Sequence, residues 1–156
     1  MNITPYDLAK RFIGLKEIVG DKHNPFIQWC LTLCGFDNDV PDEVPWCSAF
    51  VNGICWMLNL ERSKSALARS WLNVGDPIGI ASAQRGFDIA ILKVHYDDPG
   101  IENVNFRGHV GFIHEIQWRS GVIMLLGGNQ GNKVSIKGYP LKKLLCCRRL
   151  KPILRT

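Results

Sequence analysis

Apolar positions in the first half of the chain recur with the period of an α-helix. Residues 5–19 carry such a stripe, which predicts a first helix, and Thr4 before Pro5 is typical of a helix start. Residues 25–33 and 46–58 have the same character and predict two further helices. A short helical turn is expected at residues 66–72.

After Gly86 the pattern changes to short runs that are typical of β-strands and are separated by turn residues. Helices followed by strands predict an α+β domain built on an antiparallel sheet. No linker divides the 156 residues, so we expect one domain that spans residues 1–156. The strand-like runs are residues 87–95, 109–118, 122–128, 133–138 and 144–150.

The composition narrows the class of protein. A hydrophobic content of 46% is sufficient for a packed core and argues against intrinsic disorder. No apolar run reaches the roughly 18 residues of a membrane span, and the N-terminus is too polar for a secretory signal. We therefore expect a protein made in the cytoplasm without a transmembrane segment. A net charge of +5 favours an anionic partner, such as a nucleic acid, an anionic membrane or an acidic cell-wall polymer.

The six cysteines are expected to be reduced thiols rather than a disulfide framework, because no signal peptide is evident. A zinc site made from four thiolates is disfavoured, since neither close pair has the C-x-x-C spacing of such sites. These pairs are Cys30 with Cys34 and Cys146 with Cys147.

Cys47 lies in the first turn of the third predicted helix, in the segment PWCSAFVNGICWML. Its spacing to Val51 and Ile54 places the thiol on the apolar stripe of this helix. The partial positive charge and unpaired N–H groups of a helix N-terminus favour a thiolate and could bind an oxyanion. A cysteine in this position is more commonly a packing residue, so a nucleophilic role also requires a base.

Among the four histidines, His109 suits the role of a base best. It begins a predicted strand between two glycines, where the missing side chains leave room for a substrate. His114 has the opposite strand parity and is expected to face the other side of the sheet. His23 and His95 lie in segments that are typical of surface loops.

The hairpin that begins with His109 predicts a third polar residue. A turn near residues 118–121 joins the two strands, which places His109 opposite Asn129 to within one residue of register. An Asn129 amide there could accept a hydrogen bond from one ring nitrogen and direct the other at the thiol. Gln130 is the competitor for this role, and the glycine-rich segment could also be only a turn.

Five motifs follow one another in the order PWCSAFVNG, ARSW, GFDIAIL, GHVGFI and LGGNQGNKVSI. This set resembles the CHAP-like and NlpC-like families of cysteine amidohydrolases and peptidases, most closely the single-domain type of phage lysis cassettes. The resemblance implies a papain-like α+β fold, in which N-terminal helices pack on an antiparallel sheet. It also implies an endolysin that cleaves peptidoglycan, as an endopeptidase or an N-acetylmuramoyl-L-alanine amidase. The nucleophile falls on Cys47, the base on His109 and the third residue on Asn129.

The resemblance also suggests binding residues. Trp46, Ser70, Trp71 and Gln130 are candidates to line the substrate groove, although each tryptophan could equally belong to the core. No cofactor is expected. Some relatives bind calcium in an acidic loop before the nucleophile, and the comparable loop here carries acidic residues without EF-hand spacing. The calcium candidates are Asp37, Asp39 and Asp42.

The expected partner is peptidoglycan, with electrostatic contact to an anionic envelope surface and without nucleic acid. We expect a monomer that lacks a separate wall-binding domain and reaches the periplasm or cell wall through a holin. The alternatives are a secretion-system effector or a host wall-remodelling amidase with the same triad. A more distant alternative is a basic nucleic-acid-binding module, which would not require Cys47.

Overall fold

The computed structural model describes residues 2–154, which form three α-helices followed by a six-stranded antiparallel sheet. The α-helices are α1 (Pro5–Lys10), α2 (Pro25–Thr32) and α3 (Cys47–Met57), and short 3₁₀ helices span Ala68–Asn73, Ile80–Ser82 and Leu141–Lys143. The strands are β1 (Asp76–Ile78), β2 (Asp88–Leu92), β3 (His109–Gln117), β4 (Val122–Gly127), β5 (Ser135–Pro140) and β6 (Leu144–Arg149). The predicted α+β architecture with an antiparallel sheet is confirmed.

The sheet has the strand order β1-β6-β2-β3-β4-β5, with β2 and β3 at its centre, and every residue of β2 is buried. One face packs against the helices, and α3 lies over β3 and β4. The other face forms a smaller apolar cluster of its own. Successive strand residues alternate between these two clusters: Ile89, Ile91, Val110 and Phe112 join the first, and Ala90, Leu92 and Ile113 join the second.

The first predicted helix is too long, because α1 ends at Lys10 rather than near residue 19. The chain turns at Gly14, which has φ of 94°, and then pairs with the segment between β4 and β5. Gly14 N–H donates to the carbonyl of Val134, and Val134 N–H donates back to Leu15. The apolar residues of the predicted stripe still reach the core up to Leu15, whereas Val19 is 99% exposed. The helical spacing of these apolar residues therefore reflects their burial in the core, although the helix itself ends at Lys10.

The edge strand β1 was not predicted. It has only three residues, its sequence is Asp-Pro-Ile, and two of the three are exposed. Proline cannot donate to a ladder and is tolerated at a sheet edge, so this short segment carries no strand pattern. Within residues 2–154, no helix has the length and apolar character that crossing a bilayer requires.

A close contact at Gly128 joins the two halves of the chain. A Cβ atom at this position would lie 2.6 Å from Cζ3 of Trp46 and 2.8 Å from Cβ of Phe50. Trp46 is buried and its indole N–H donates to a carboxylate oxygen of Glu17 at 3.0 Å, so it has little freedom to move aside. The segment after β4 is therefore held directly against the start of α3.

We expect Gly128→Ala to lower the free energy of unfolding by about 2 kcal/mol, because the added methyl group overpacks a fixed contact. Gly79→Ala is a matched control, since a Cβ atom there meets nothing within 4 Å and its φ is −67°. This control should stay within about 0.5 kcal/mol of the wild type. Urea unfolding of the three proteins measures both effects, and equal stabilities would contradict the close packing at Gly128.

Candidate active site

Cys47 is the first residue of α3, and its side chain is 6% exposed. The helix start that carries it differs from the other two. Thr4 caps α1 and Asn24 caps α2 with side-chain oxygens, whereas α3 has Trp46 at the N-cap and no side-chain hydrogen bond there. The N-cap side chain of α3 therefore leaves the first N–H groups of the helix without a capping oxygen.

These N–H groups are directed at the Cys47 sulfur, but they do not make it a thiolate. Burial raises the pKa of the Cys47 thiol, and hydrogen bonds from the backbone N–H groups of Val110, Ser48 and Cys47 itself oppose that rise. The sequence pattern indicated a lowered pKa from the helix terminus. That expectation is corrected, because desolvation of the charged form outweighs the helix field at this depth.

His109 begins β3 and is held through Nε2. This nitrogen lies 2.9 Å from Oε1 of Gln130 and 3.2 Å from the hydroxyl oxygen of Tyr139. The Tyr139 hydroxyl also donates to Oε1 of Gln130 at 3.1 Å, so the three side chains form a closed network.

The orientation of Gln130 defines the tautomer of His109. The Gln130 side chain is almost fully buried, and its Nε2 donates to the carbonyl oxygens of Leu125 at 3.2 Å and Ser135 at 2.7 Å. Its Oε1 must then face His109, and an amide oxygen can only accept. Nε2 of His109 therefore carries the proton, and Nδ1 has the free lone pair that a general base needs.

Gln130, not Asn129, contacts His109, which corrects the leading sequence prediction for the third residue. The predicted hairpin register is found, since Phe112 pairs with Leu126. The pairing ends with β4 at Gly127, before it reaches the position opposite His109. Asn129 then adopts φ of 56° in a turn, and that turn brings the next side chain back to the imidazole.

The imidazole of His109 is neutral at physiological pH. Burial lowers the pKa of His109 to about 4, the hydrogen bond to Gln130 opposes this shift, and the positive charge of Lys137 adds to it. His114, by contrast, hydrogen-bonds to Tyr6 of α1. It thus faces the helices, as its strand parity predicted.

The structure brings Cys47 to the same end of the sheet as His109. The N–H group of Val110, the residue after His109, hydrogen-bonds to the Cys47 sulfur. Burial and, less strongly, charge on Cys47 raise the pKa of Tyr139, whose hydroxyl contacts His109. Sequence reasoning missed Tyr139, because only the pairing of β5 with β4 shows where its side chain lies.

The two tryptophans predicted for the groove are core residues. Trp46 and Trp71 are 1% and 0% exposed, and the Trp71 indole N–H donates to the Ser48 hydroxyl at 2.8 Å. The Ser70 hydroxyl donates to the carbonyl of Leu67 at 2.6 Å within its own 3₁₀ turn. The two tryptophan rings thus pack around α3 in the core and do not line a groove that a ligand could reach.

Arg69, within the ARSW motif, organises the segment that leads to His109. Its side chain is fully buried, and its guanidinium group donates four hydrogen bonds to backbone carbonyl groups. All four belong to the loop of residues 93–108 between β2 and β3. The acceptors are Pro99, Gly100, Asn103 and Arg107.

The acidic loop before Cys47 has a structural role through Asp42. This buried carboxylate accepts hydrogen bonds from the backbone N–H groups of Ile18 at 2.9 Å and Asn24 at 2.8 Å, and it contacts Nδ1 of His23 at 3.1 Å. Among residues 2–154, the ligand group close enough to hold a metal is His23, Asp42 and Glu43. The calcium candidates Asp37 and Asp39 are exposed and lie outside this group.

Comparisons of the chain with protein-family models, with curated proteins and with solved structures found no match. The resemblance carried by the five sequence motifs therefore rests on those residues alone. The arrangement of Cys47, His109, Gln130 and Tyr139 is the observation from which a function can be proposed.

The neutral imidazole predicts a pH dependence of stability. The pKa of His109 is about 4 in the folded protein and 6.5 without its environment, so the unfolded chain binds this proton first as the pH falls. The free energy of unfolding should therefore decrease between about pH 6.5 and pH 4, with a loss of up to about 3 kcal/mol. We expect urea unfolding at pH 7 and pH 4.5 to show a smaller decrease for His109→Gln than for the wild type. An equal decrease in both proteins would assign the effect to other groups.

Proposed function

We propose that this protein is a cysteine hydrolase that cleaves amide bonds in peptidoglycan, with Cys47 as nucleophile and His109 as base. The observation that carries the proposal is the network of His109 with Gln130 and Tyr139, which leaves Nδ1 as the basic nitrogen. The thiol lies beside this end of β3, at an uncapped helix start. We further propose that the helix-on-sheet arrangement is papain-like.

In the proposed acylation step, Nδ1 of His109 takes the proton of the Cys47 thiol as the sulfur attacks the carbonyl carbon of the amide. Both groups are neutral before the reaction, so the proton transfer accompanies substrate attack instead of preceding it. The carbonyl oxygen becomes an oxyanion, and in this mechanism the uncapped N–H groups at the start of α3, which point at the sulfur, stabilise it. The imidazolium then protonates the leaving amine, and a thioester remains on Cys47.

Water completes the cycle. Nδ1 of His109, neutral again, removes a proton from a water molecule that attacks the thioester carbonyl. The sulfur leaves and takes the proton back from the imidazolium, which restores the thiol and releases the carboxylic acid. Throughout both steps Gln130 accepts from Nε2 and keeps the ring in one orientation, the role that the family resemblance assigned to the third polar residue.

The substrate class follows from the motif resemblance together with the charge. The motifs resemble those of wall-lytic enzymes of phages, and a net charge of +5 favours approach to an anionic cell envelope. We propose that the protein acts as an endolysin, either between muramic acid and L-alanine or within the stem peptide. Both bonds are amides and require the same three groups.

Cys47→Ala should abolish the clearing of purified sacculi, because no other group replaces the attacking sulfur. Cys34→Ala is the control, since this half-buried thiol follows α2 and belongs to a different part of the chain from the helix start and strands that form the site, and it should retain activity. Mass spectrometry of the soluble muropeptides then identifies the new amine and thus the cleaved bond. Clearing by the Cys47→Ala protein at the rate of the wild type would refute the mechanism.

Variants of the neighbouring residues Asn129 and Gln130 test which of them orients His109. Gln130→Leu should lower kcat by roughly a hundredfold, because the imidazole loses its orienting acceptor. Asn129→Gly serves as the control, since glycine tolerates the φ of 56° found there, and its kcat should change little. The assay is the release of soluble muropeptides by variants whose circular dichroism matches the wild type. A larger loss in Asn129→Gly than in Gln130→Leu would return the role to Asn129.

A further inference from the structure

A positive charge lies beside the proposed catalytic network. Lys137 is on β5, exposed, and two residues before Tyr139 on the same face of the strand. Its Nζ atom lies 5.3 Å from the centroid of the Tyr139 ring. The hydroxyl of that ring contacts both His109 and Gln130, so the cation is one side chain away from the base.

No Asp or Glu among residues 2–154 forms an ion pair with this charge. Within residues 2–154, the ion pairs that the structure forms with Asp or Glu involve other cations: His23, Arg107, Arg149 and Lys151. The side chains of the network are an imidazole, an amide and a phenol, and the Cys47 thiol lies at the same end of β3; all four are uncharged at neutral pH. Lys137 is thus the charged group that acts on His109.

This placement disfavours catalysis in the empty site. The positive charge of Lys137 helps to lower the pKa of His109 and so destabilises the imidazolium that forms during acylation. A bound anion near Nζ would cancel that repulsion. The same anion would gain a charge-assisted hydrogen bond from the ammonium group, whose position is favoured by the contact with the aromatic ring.

We propose that Lys137 is a specificity residue that binds a free carboxylate of the substrate next to the amide being cleaved. This inference rests on the proposed function of the site. A carboxylate bound there supplies affinity and also removes the repulsion on the imidazolium, whereas a carboxamide in its place supplies neither. The enzyme therefore favours stem peptides whose carboxyl group beside the cleaved bond is free over those in which it is amidated.

The test uses two muropeptides that differ only in amidation of that carboxyl group. We expect wild-type kcat/KM to favour the free carboxylate about tenfold, the size of one charge-assisted contact at a partly exposed site. Lys137→Gln should bring the ratio of the two kcat/KM values close to one, and Lys137→Arg should retain most of the preference. Lys142→Gln makes the same change of charge at an exposed position in the 3₁₀ helix before β6 and should keep the wild-type ratio.

The outcomes separate the two proposals. If the wild type cleaves both muropeptides equally, or if Lys137→Gln keeps the tenfold preference, the role of Lys137 is refuted while the hydrolase function stands. If Lys137→Gln and Lys142→Gln reduce the preference equally, general charge explains it and the specific role is again refuted. If the wild type cleaves neither muropeptide nor intact sacculi, the proposed function itself fails, and this inference fails with it.

Discussion

The contact between Gly128 and the first turn of α3 is the constraint on which the candidate site depends. The helical half of the chain contributes Cys47, and the strand half contributes His109 and Gln130. These halves meet where the backbone after β4 passes against the Trp46 ring, at a separation that no side chain could share. That approach fixes the turn that returns Gln130 to the imidazole. The geometry of a polar network is thereby determined by apolar packing.

The site combines side chains that burial keeps neutral with backbone N–H donors that no N-cap side chain covers. Desolvation raises the pKa of the Cys47 thiol and lowers that of His109, so neither side chain is charged at rest. The start of α3 lacks the side-chain cap found on α1 and α2, and its first N–H groups point at the Cys47 sulfur instead. An uncapped terminus forgoes a contribution of about 1 kcal/mol to stability. In the proposed mechanism, these donors stabilise the negative charge that develops during acylation.

The sequence predicted most helices and strands, but it did not predict which side chains meet through contacts between distant parts of the chain. The helical spacing of apolar residues predicted α3, and short apolar runs between turn residues predicted the strands β2 to β6, because these elements bury apolar side chains in the core. The hairpin register was also predictable, but its extrapolation to Asn129 was wrong since the strand pair ends at Gly127. Trp71 looked like a ligand-binding residue because sequence does not distinguish an aromatic side chain in a core from one in a groove. Tyr139 and Lys137 become recognisable only when β5 is placed beside β4.

The hydrogen bonds of Arg69 determine which parts of the loop before His109 can vary in sequence. The four acceptors are backbone carbonyl oxygens, which every amino acid supplies. These hydrogen bonds therefore hold the loop without requiring particular side chains in residues 93–108. Tyr96 and Ile101 in that loop are largely exposed. Substitutions at these two positions can alter the surface of the loop while its backbone keeps the same path to His109. The position of the His109 side chain is thus independent of the side chains that this loop exposes.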